Sequence, residues 1–216
     1  MIAYKSVSLA NQVFEQLEHS ILTGEYKQGE VISEKRLSEE LGVSRTPIRE
    51  AISMLEAEDL IEDSPQGTVV RGITEKDVRD SYEVKRRVEV LASRWAANNI
   101  TDEQLKELHE IVEKQEFYAQ KNETEKLRDL DTDFHDVIYE ASGSTVLKRI
   151  LKPLHHKMYR YRKASLEIED RIDDSVNEHR RIYEALAEHD EDQVESLMQI
   201  HIDKAFRQMI RIMEGK

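Results

Sequence analysis

From Ile73 to Lys216 the chain carries one proline, Pro153, and two glycines, Gly143 and Gly215. A β-rich domain needs turn residues at short intervals, so a stretch this sparsely punctuated is predicted to be almost continuous helix. Capping signals divide it. Thr74, followed by Lys76 and Asp77, opens a first helix. Thr101-Asp102-Glu103-Gln104 opens a second, with Gln104 at the third position of a capping box. Asn122 caps a third that ends at Ser142-Gly143, Ser144 caps a fourth, Asp170 or Asp173 starts a fifth and Asp190 a sixth. Six to seven helices joined by short links make a helical bundle.

The first third has a different texture. Ser33-Glu34-Lys35-Arg36-Leu37-Ser38-Glu39-Glu40-Leu41-Gly42 starts at a Ser cap, places Leu37 and Leu41 one turn apart and stops at a glycine. The next run, Val43-Ser44-Arg45-Thr46-Pro47-Ile48-Arg49-Glu50-Ala51, has Ser44 as N-cap and Pro47 in the first turn, where its missing N–H removes nothing from the ladder. Ile48, Ala51, Ile52 and Leu55 then form an apolar stripe. Thr46, Arg49, Glu50 and Ser53 project away from it, with Arg45 at its margin, so the open face begins with two guanidiniums one turn apart. Residues 60–63 and 68–71 flank Ser64-Pro65-Gln66-Gly67, a hairpin with a four-residue turn. Two short helices about a tight turn, then a hairpin, spell a winged helix-turn-helix with a DNA recognition helix. The expected fold is mainly α: a winged helix-turn-helix of three helices and a hairpin wing in residues 1–73, joined to the all-α bundle in residues 74–216.

These pieces resemble the GntR family of bacterial transcription regulators, in its FadR-like branch. The resemblance runs nearly end to end and is carried by Leu22-Thr23-Gly24-Glu25-Tyr26-Lys27-Gln28-Gly29, by segments 33–41 and 43–51, and by Gly67-Thr68-Val69-Val70. It implies that Arg45 and Arg49 contact bases or backbone in the major groove and that Gly67 approaches the minor groove or phosphates. Ser44 and Thr46 belong to the same candidate surface. The family usually has Arg where this chain has Lys35, which keeps the charge but loses the bidentate fork.

Charge narrows the kind of nucleic-acid binding. The net charge is −13, and residues 1–73 hold 7 Lys and Arg against 13 Asp and Glu. DNA contact must therefore rest on a local patch of Lys35, Arg36, Arg45, Arg49 and Arg71, with few phosphates neutralised and a strong need for two half-sites. That excludes a general nucleic-acid coater and favours a homodimer on a palindromic double-stranded operator. Cysteine is absent, which excludes disulfides and thiol chemistry. No apolar run approaches the ~20 residues of a membrane span and no signal-peptide pattern opens the chain, so a cytoplasmic protein with no membrane partner is expected.

Within the bundle one constellation carries chemistry. Asp131 and His135 lie one turn apart on a helix side that also carries Leu127, Phe134 and Ile138; His179 leads the stripe Ile182, Tyr183, Leu186; His201 sits among Val194, Leu197, Met198 and Ala205. One carboxylate and three imidazoles thus occupy core-facing stripes of three helices. A single such His is ordinarily a packed core residue. Converging imidazoles and a carboxylate in a dry pocket suit a divalent transition metal, whose ligation offsets the cost of burying an ionised Asp. The family resemblance implies the same set: one subgroup has an all-helical effector domain, FCD, in which one Asp and three His in this order hold a metal, here Asp131, His135, His179 and His201. Zn is the first expectation, with Ni or Mn as alternatives; if the metal is five- or six-coordinate, four protein ligands leave positions open for water or an effector carboxylate.

A small carboxylate effector follows from the same resemblance. The family commonly has an effector-binding Arg where this chain has Lys85, and Ser142-Gly143-Ser144 replaces the usual Ser-Gly-Asn. In the cluster Tyr159-Arg160-Tyr161-Arg162 one Arg could meet an anion, so Tyr159 and Arg162 join Lys85 as candidate effector contacts. His155 and His156, adjacent and 100° apart, cannot both face one site; His155 is a candidate pocket wall, while His19, His109 and His189 sit among polar neighbours. Two rival classes remain: a structural metal in a dimerisation domain, and a metal-dependent hydrolase, for which no His-Glu-x-x-His helix is present.

Overall fold

The computed structural model describes residues 8–165 and 172–214, apart from the side chains at 159–173 and 212. It divides into two compact units, Met1–Thr74 and Glu75–Lys216.

In the first unit, α1 (Leu9–Leu22) is capped by the Ser8 hydroxyl, which accepts from the Asn11 N–H at 3.1 Å. It buries Ala10, Val13, Leu17 and Ile21 along one stripe. β1 (Val31–Ile32) leads into α2 (Glu34–Leu41), capped by Ser33 and closed by Gly42 at φ 66°, a left-handed conformation that glycine adopts without steric cost. α3 (Arg45–Ala57) buries Ile48, Ala51 and Leu55 and packs on α1. Ser44 occupies its N-cap position, but the hydroxyl makes no capping hydrogen bond.

The wing departs from expectation in two ways. β2 (Ile61–Ser64) pairs antiparallel with β3 (Gly67–Val70), and Ser64 is itself paired with Gly67, so the turn is the two residues Pro65 and Gln66 rather than four. Ser64 Oγ closes it by accepting from the Gln66 N–H and donating to the Gly67 carbonyl at 2.8 Å. Gly67 sits at φ 115°, where a side chain is strained. β1 also adds to the other edge of β3, pairing Val31 with Val69, to give a three-stranded sheet in the order β1-β3-β2. Two residues are too few for alternation to announce a strand.

The second unit is helical throughout its described residues: α4 (Glu75–Asn99), α5 (Asp102–Ala119), α6 (Thr124–Ala141), α7 (Thr145–Ser165), α8 (Ile172–Ala187) and α9 (Glu191–Met213). The capping box at Thr101 and Gln104 forms in both directions, at 3.2 and 3.1 Å. Ser144 Oγ accepts from the Leu147 N–H and Asp190 Oδ1 from the Gln193 N–H. Asn122 is not the cap of α6; it takes φ 53° inside the preceding turn, and Glu123 stands at the N-cap without a side-chain bond. α8 starts at Ile172, which puts Asp173 within it, and Asp170 lies outside the described residues.

α6 runs through the middle of the bundle, packing on α4, α5, α7 and α8, while α4 lies along α9. Phe134, Ile138 and Tyr139 of α6 are fully buried, as are Leu108, Leu151, Ile182 and Leu186 around it. Any polar residue on the inner face of α6 is therefore delivered to the centre of the unit.

Ile48 links α3 to the rest of the first unit from a fully buried position. Ile48→Ala is expected to lower the stability of this unit by about 2–5 kcal/mol, through lost transfer energy and the cavity left behind. Chemical denaturation followed by circular dichroism measures it.

Candidate metal centre and nucleic-acid interface

Asp131 and His135 project from α6, His179 from α8 and His201 from α9. Each can offer one ligand atom such that all four lie within 4.8 Å of one another. Donors bound at about 2.1 Å to one ion lie about 3–4 Å apart, so only a small contraction separates this arrangement from a coordination sphere. His179 Nε2 is already 3.7 Å from Asp131 Oδ1. The three imidazoles are buried and Asp131 is partly so, with 15% of its side chain exposed. A dry mixture of imidazole and carboxylate donors fits Zn, Ni or Mn.

Neighbouring acceptors turn the rings. His179 donates from Nδ1 to Gln115 Oε1 at 3.0 Å, and His201 donates from Nδ1 to Glu178 Oε2 at 2.7 Å. Each bond spends the Nδ1 proton and leaves Nε2 as the nitrogen with a free lone pair, the arrangement that orients metal-binding histidines. Glu178 is itself held by Lys204 Nζ at 2.8 Å, and Phe134 stacks on His179 with ring centres 4.1 Å apart. His135 Nδ1 lies 2.6 Å from Glu89 Oε1, close but out of line for a hydrogen bond. Burial pushes the His201 imidazole below its ordinary value, towards the neutral form that ligates.

Glu89 has no exposed surface. Its Oε1 accepts from the Tyr139 hydroxyl at 2.7 Å and its Oε2 is 2.9 Å from Lys85 Nζ. Burial acts to raise this carboxyl, but Lys85 and His135 outweigh it and hold the group well below the usual carboxylate range. Lys85 Nζ also lies 2.8 Å from His155 Nδ1. Lys85, the candidate effector contact, lies beside the centre with its ammonium engaged inside the protein. Tyr159 and Arg162 lie outside the residues whose side chains are described. Lys85, His135, His155, Met158 and His201 line a cavity of about 10 Å³, room for about one water.

Sequence reasoning missed Glu89, Gln115 and Glu178. The first two had a visible signal. Gln115 follows Leu108, Ile111 and Val112 on the buried stripe of α5, and Lys85 and Glu89 lie one turn apart on a stripe with Tyr82 and Ala92. A polar residue where the period calls for an apolar one marks a partner across the core.

On the first unit, Ser44, Arg45, Thr46 and Arg49 all lie on exposed positions at the start of α3. Arg45 makes no hydrogen bond or ion pair among the described residues, whereas Arg49 donates from Nε to Glu34 Oε1 at 2.7 Å. Lys35 is highly exposed, 3.9 Å from Glu39. Arg36 is placed differently: it binds Glu30 at 2.8 Å and Glu40 at 2.6 Å and lies over the Tyr26 ring, bracing the loop before β1 against α2. Gly67 sits at the tip of the wing.

Residues 9–70 match the family model "Bacterial regulatory proteins, gntR family" and residues 80–204 match "FCD domain". YdhC, an HTH-type transcriptional regulator of Bacillus subtilis (strain 168), is 28% identical over 94% of this chain and 92% of its own length. RspR, an HTH-type transcriptional repressor of Escherichia coli (strain K12), is 27% identical over 89% and 85%. McbR, an HTH-type transcriptional regulator of the same strain, is 30% identical over 71% of this chain and 70% of its own length. A solved structure of E. coli McbR/YncC superimposes with a TM-score of 0.71 over 95% of this chain and 99% of that one; at 23% identity in that alignment the likeness concerns the fold alone. No helix among the described residues is long and apolar enough to cross a membrane.

Removing one partner of the buried Lys85–Glu89 pair leaves the other charge without its counter-ion. Lys85→Met is expected to destabilise the bundle by about 3–5 kcal/mol, and Lys85→Met with Glu89→Leu to recover most of the loss. Urea unfolding of the two variants provides the comparison.

Proposed function

This chain belongs to the gntR family of bacterial regulatory proteins and carries an FCD domain, and we propose that it is an operator-specific repressor whose DNA affinity answers to a small carboxylate effector at a metal held by Asp131, His135, His179 and His201. The four convergent donors carry this reading, with two of the histidines turned by dedicated oxygen acceptors. In this assignment residues 1–73 bind DNA and residues 74–216 bind the effector and pair two copies. Zn is the first choice of metal, with Ni or Mn next. Repression is drawn from RspR, named as a repressor. Both matched families are families of regulators, so the hydrolase alternative has no support.

Each part has a physical role. Arg45, whose guanidinium makes no ion pair among the described residues, and Arg49 would meet the major groove, assisted by Ser44, Thr46 and Lys35, with Gly67 at the wing tip; Arg36 contributes by bracing α2. A dyad-related second copy supplies the other half-site, which a patch with so few cations requires. When bound, the metal supplies a Lewis-acidic point for an oxygen ligand. Gln115 and Glu178 orient the ligands, and the apolar shell excludes water. The cavity formed by the described residues has room for about one water, so an organic carboxylate would enter only with a shift of the groups that line it. Differential affinity for the two arrangements sets the response, typically ~1–3 kcal/mol or about 5–150-fold in operator affinity.

The small cavity also favours a second reading, in which the metal is structural and no carboxylate enters. Chelation separates the two. In the effector reading, stripped protein still binds operator but loses its response across a panel of sugar acids, hydroxy acids and dicarboxylates; an effector equally active on Asp131→Ala supports the structural reading. Fluorescence anisotropy on labelled operator reports the result.

Two further outcomes are expected. Arg49→Ala costs about 1–3 kcal/mol of operator binding if the side chain reads a base, and an Arg45/Arg49 double alanine variant with unchanged affinity at fixed salt refutes the recognition surface. His135→Ala, His179→Ala and His201→Ala each lower metal content by elemental analysis and lower the melting temperature, since metal that binds only the folded bundle stabilises it.

A further inference from the structure

Beside the four donors stands another buried imidazole. His155, on α7, is 1% exposed; its Nδ1 is 2.8 Å from Lys85 Nζ, and its Nε2 is 3.5 Å from Asp131 Oδ2 with no hydrogen-bond partner of its own. Distance alone does not tell whether this ring is a fifth metal ligand, because Nε2 is as near to Asp131 as that of His179.

Lys85 decides the matter. An ammonium has three donors and no acceptor, and this one lies 2.9 Å from the Glu89 carboxylate. At His155 Nδ1 it can only donate, so Nδ1 carries a lone pair. A neutral imidazole has one N–H, and that proton must then sit on Nε2. The ring accordingly presents to the centre a donor and not a ligating lone pair. His155 also lines the small cavity together with His135 and His201. A buried N–H beside a metal, unable to bind it, is suited to an oxygen atom bound to it.

We infer that His155 is an effector-recognition residue whose Nε2–H donates to the carboxylate oxygen on the metal, with Lys85 and Glu89 as positioning residues that fix its tautomer. This rests on the metal reading proposed above. It also accounts for the grouping of Glu89, His135 and His155, three metal-competent side chains within reach of one another. Their cation is the lysine ammonium, which lies against two of them, so the grouping is a support for the first centre.

Nitrogen-15 spectra of histidine-labelled protein test the tautomer directly: His155 is expected as the Nε2–H form, and the Nδ1–H form overturns the inference. The second test loads the full chain with Co(II) and titrates acetate while following the visible absorption of the metal. In His155→Ala the acetate affinity is expected to fall about 10–100-fold, as for loss of a hydrogen bond to a charged group, with Co(II) affinity unchanged. His155→Gln, which carries an N–H near the Nε2 position, is expected to restore much of it. Co(II) affinity falling in His155→Ala as far as in His179→Ala shows a fifth ligand and overturns the inference. So does acetate affinity that ignores the substitution, or a wild-type spectrum that acetate does not perturb. Failure of the wild type to take up Co(II) overturns the metal reading itself, a result distinct from all of these.

Discussion

The Glu89 carboxylate lies in the dry middle of the bundle, and an ionised carboxylate there is tolerated only if its partners replace the water it has lost. Two helices supply them: Tyr139 of α6 donates a hydrogen bond, while Lys85, one turn away on α4, and His135 of α6 stand within ion-pair distance. Lys85 passes the connection on to His155 of α7. These contacts impose geometry on three helices at once. Apolar packing on α6 tolerates small rotations, whereas a displaced donor leaves a buried charge without solvation. The polar chain thus sets the angle at which Asp131 and His135 face the middle, and hence where α8 and α9 must bring His179 and His201.

The candidate centre is layered in consequence. Innermost are the four side chains with ligating atoms, then the oxygens that direct them, Gln115 on α5 and Glu178 on α8, and outside these the aromatic and aliphatic wall represented by Phe134, Ile182 and Met198. Helices α5, α6, α8 and α9 supply these layers, while α4 and α7 reach the centre through Glu89, Lys85 and His155. A change in the centre therefore reaches most of the unit without a dedicated path, because each helix carries a directional contact to it.

Much of this arrangement is legible in the amino-acid sequence. The scarcity of Pro and Gly beyond residue 72 announced the helices, and the four-residue spacing of Asp131 and His135 placed both on one side of α6. His179 and His201 lay on apolar stripes, so their convergence followed from burial. What escaped notice depends on contacts remote in sequence: Gln115 meets His179 across 64 residues, and Lys85 meets His155 across 70. Local errors had local causes. Ser64 looked like a turn residue and is one in its side chain, yet its backbone still pairs with Gly67. Asn122, a residue at home both at N-caps and in left-handed turns, took the second of these roles. Arg36 counted as a free charge in the sequence because nothing there reveals that Glu30 and Glu40 close on it.

The contact between Arg49 and Glu34 bears on how the protein would move over DNA. A free arginine that meets a phosphate gains attraction and releases a condensed cation, and each such release steepens the fall of affinity with salt. Arg49 already has an anion at 2.7 Å, so phosphate must displace a carboxylate before it gains anything. The exchange is nearly balanced on an arbitrary sequence and becomes favourable only where a base edge adds its own hydrogen bonds. On the proposed recognition surface, an acidic neighbour would act against lingering at wrong sites, and a net charge of −13 would leave little of the non-specific attraction that basic regulators must overcome.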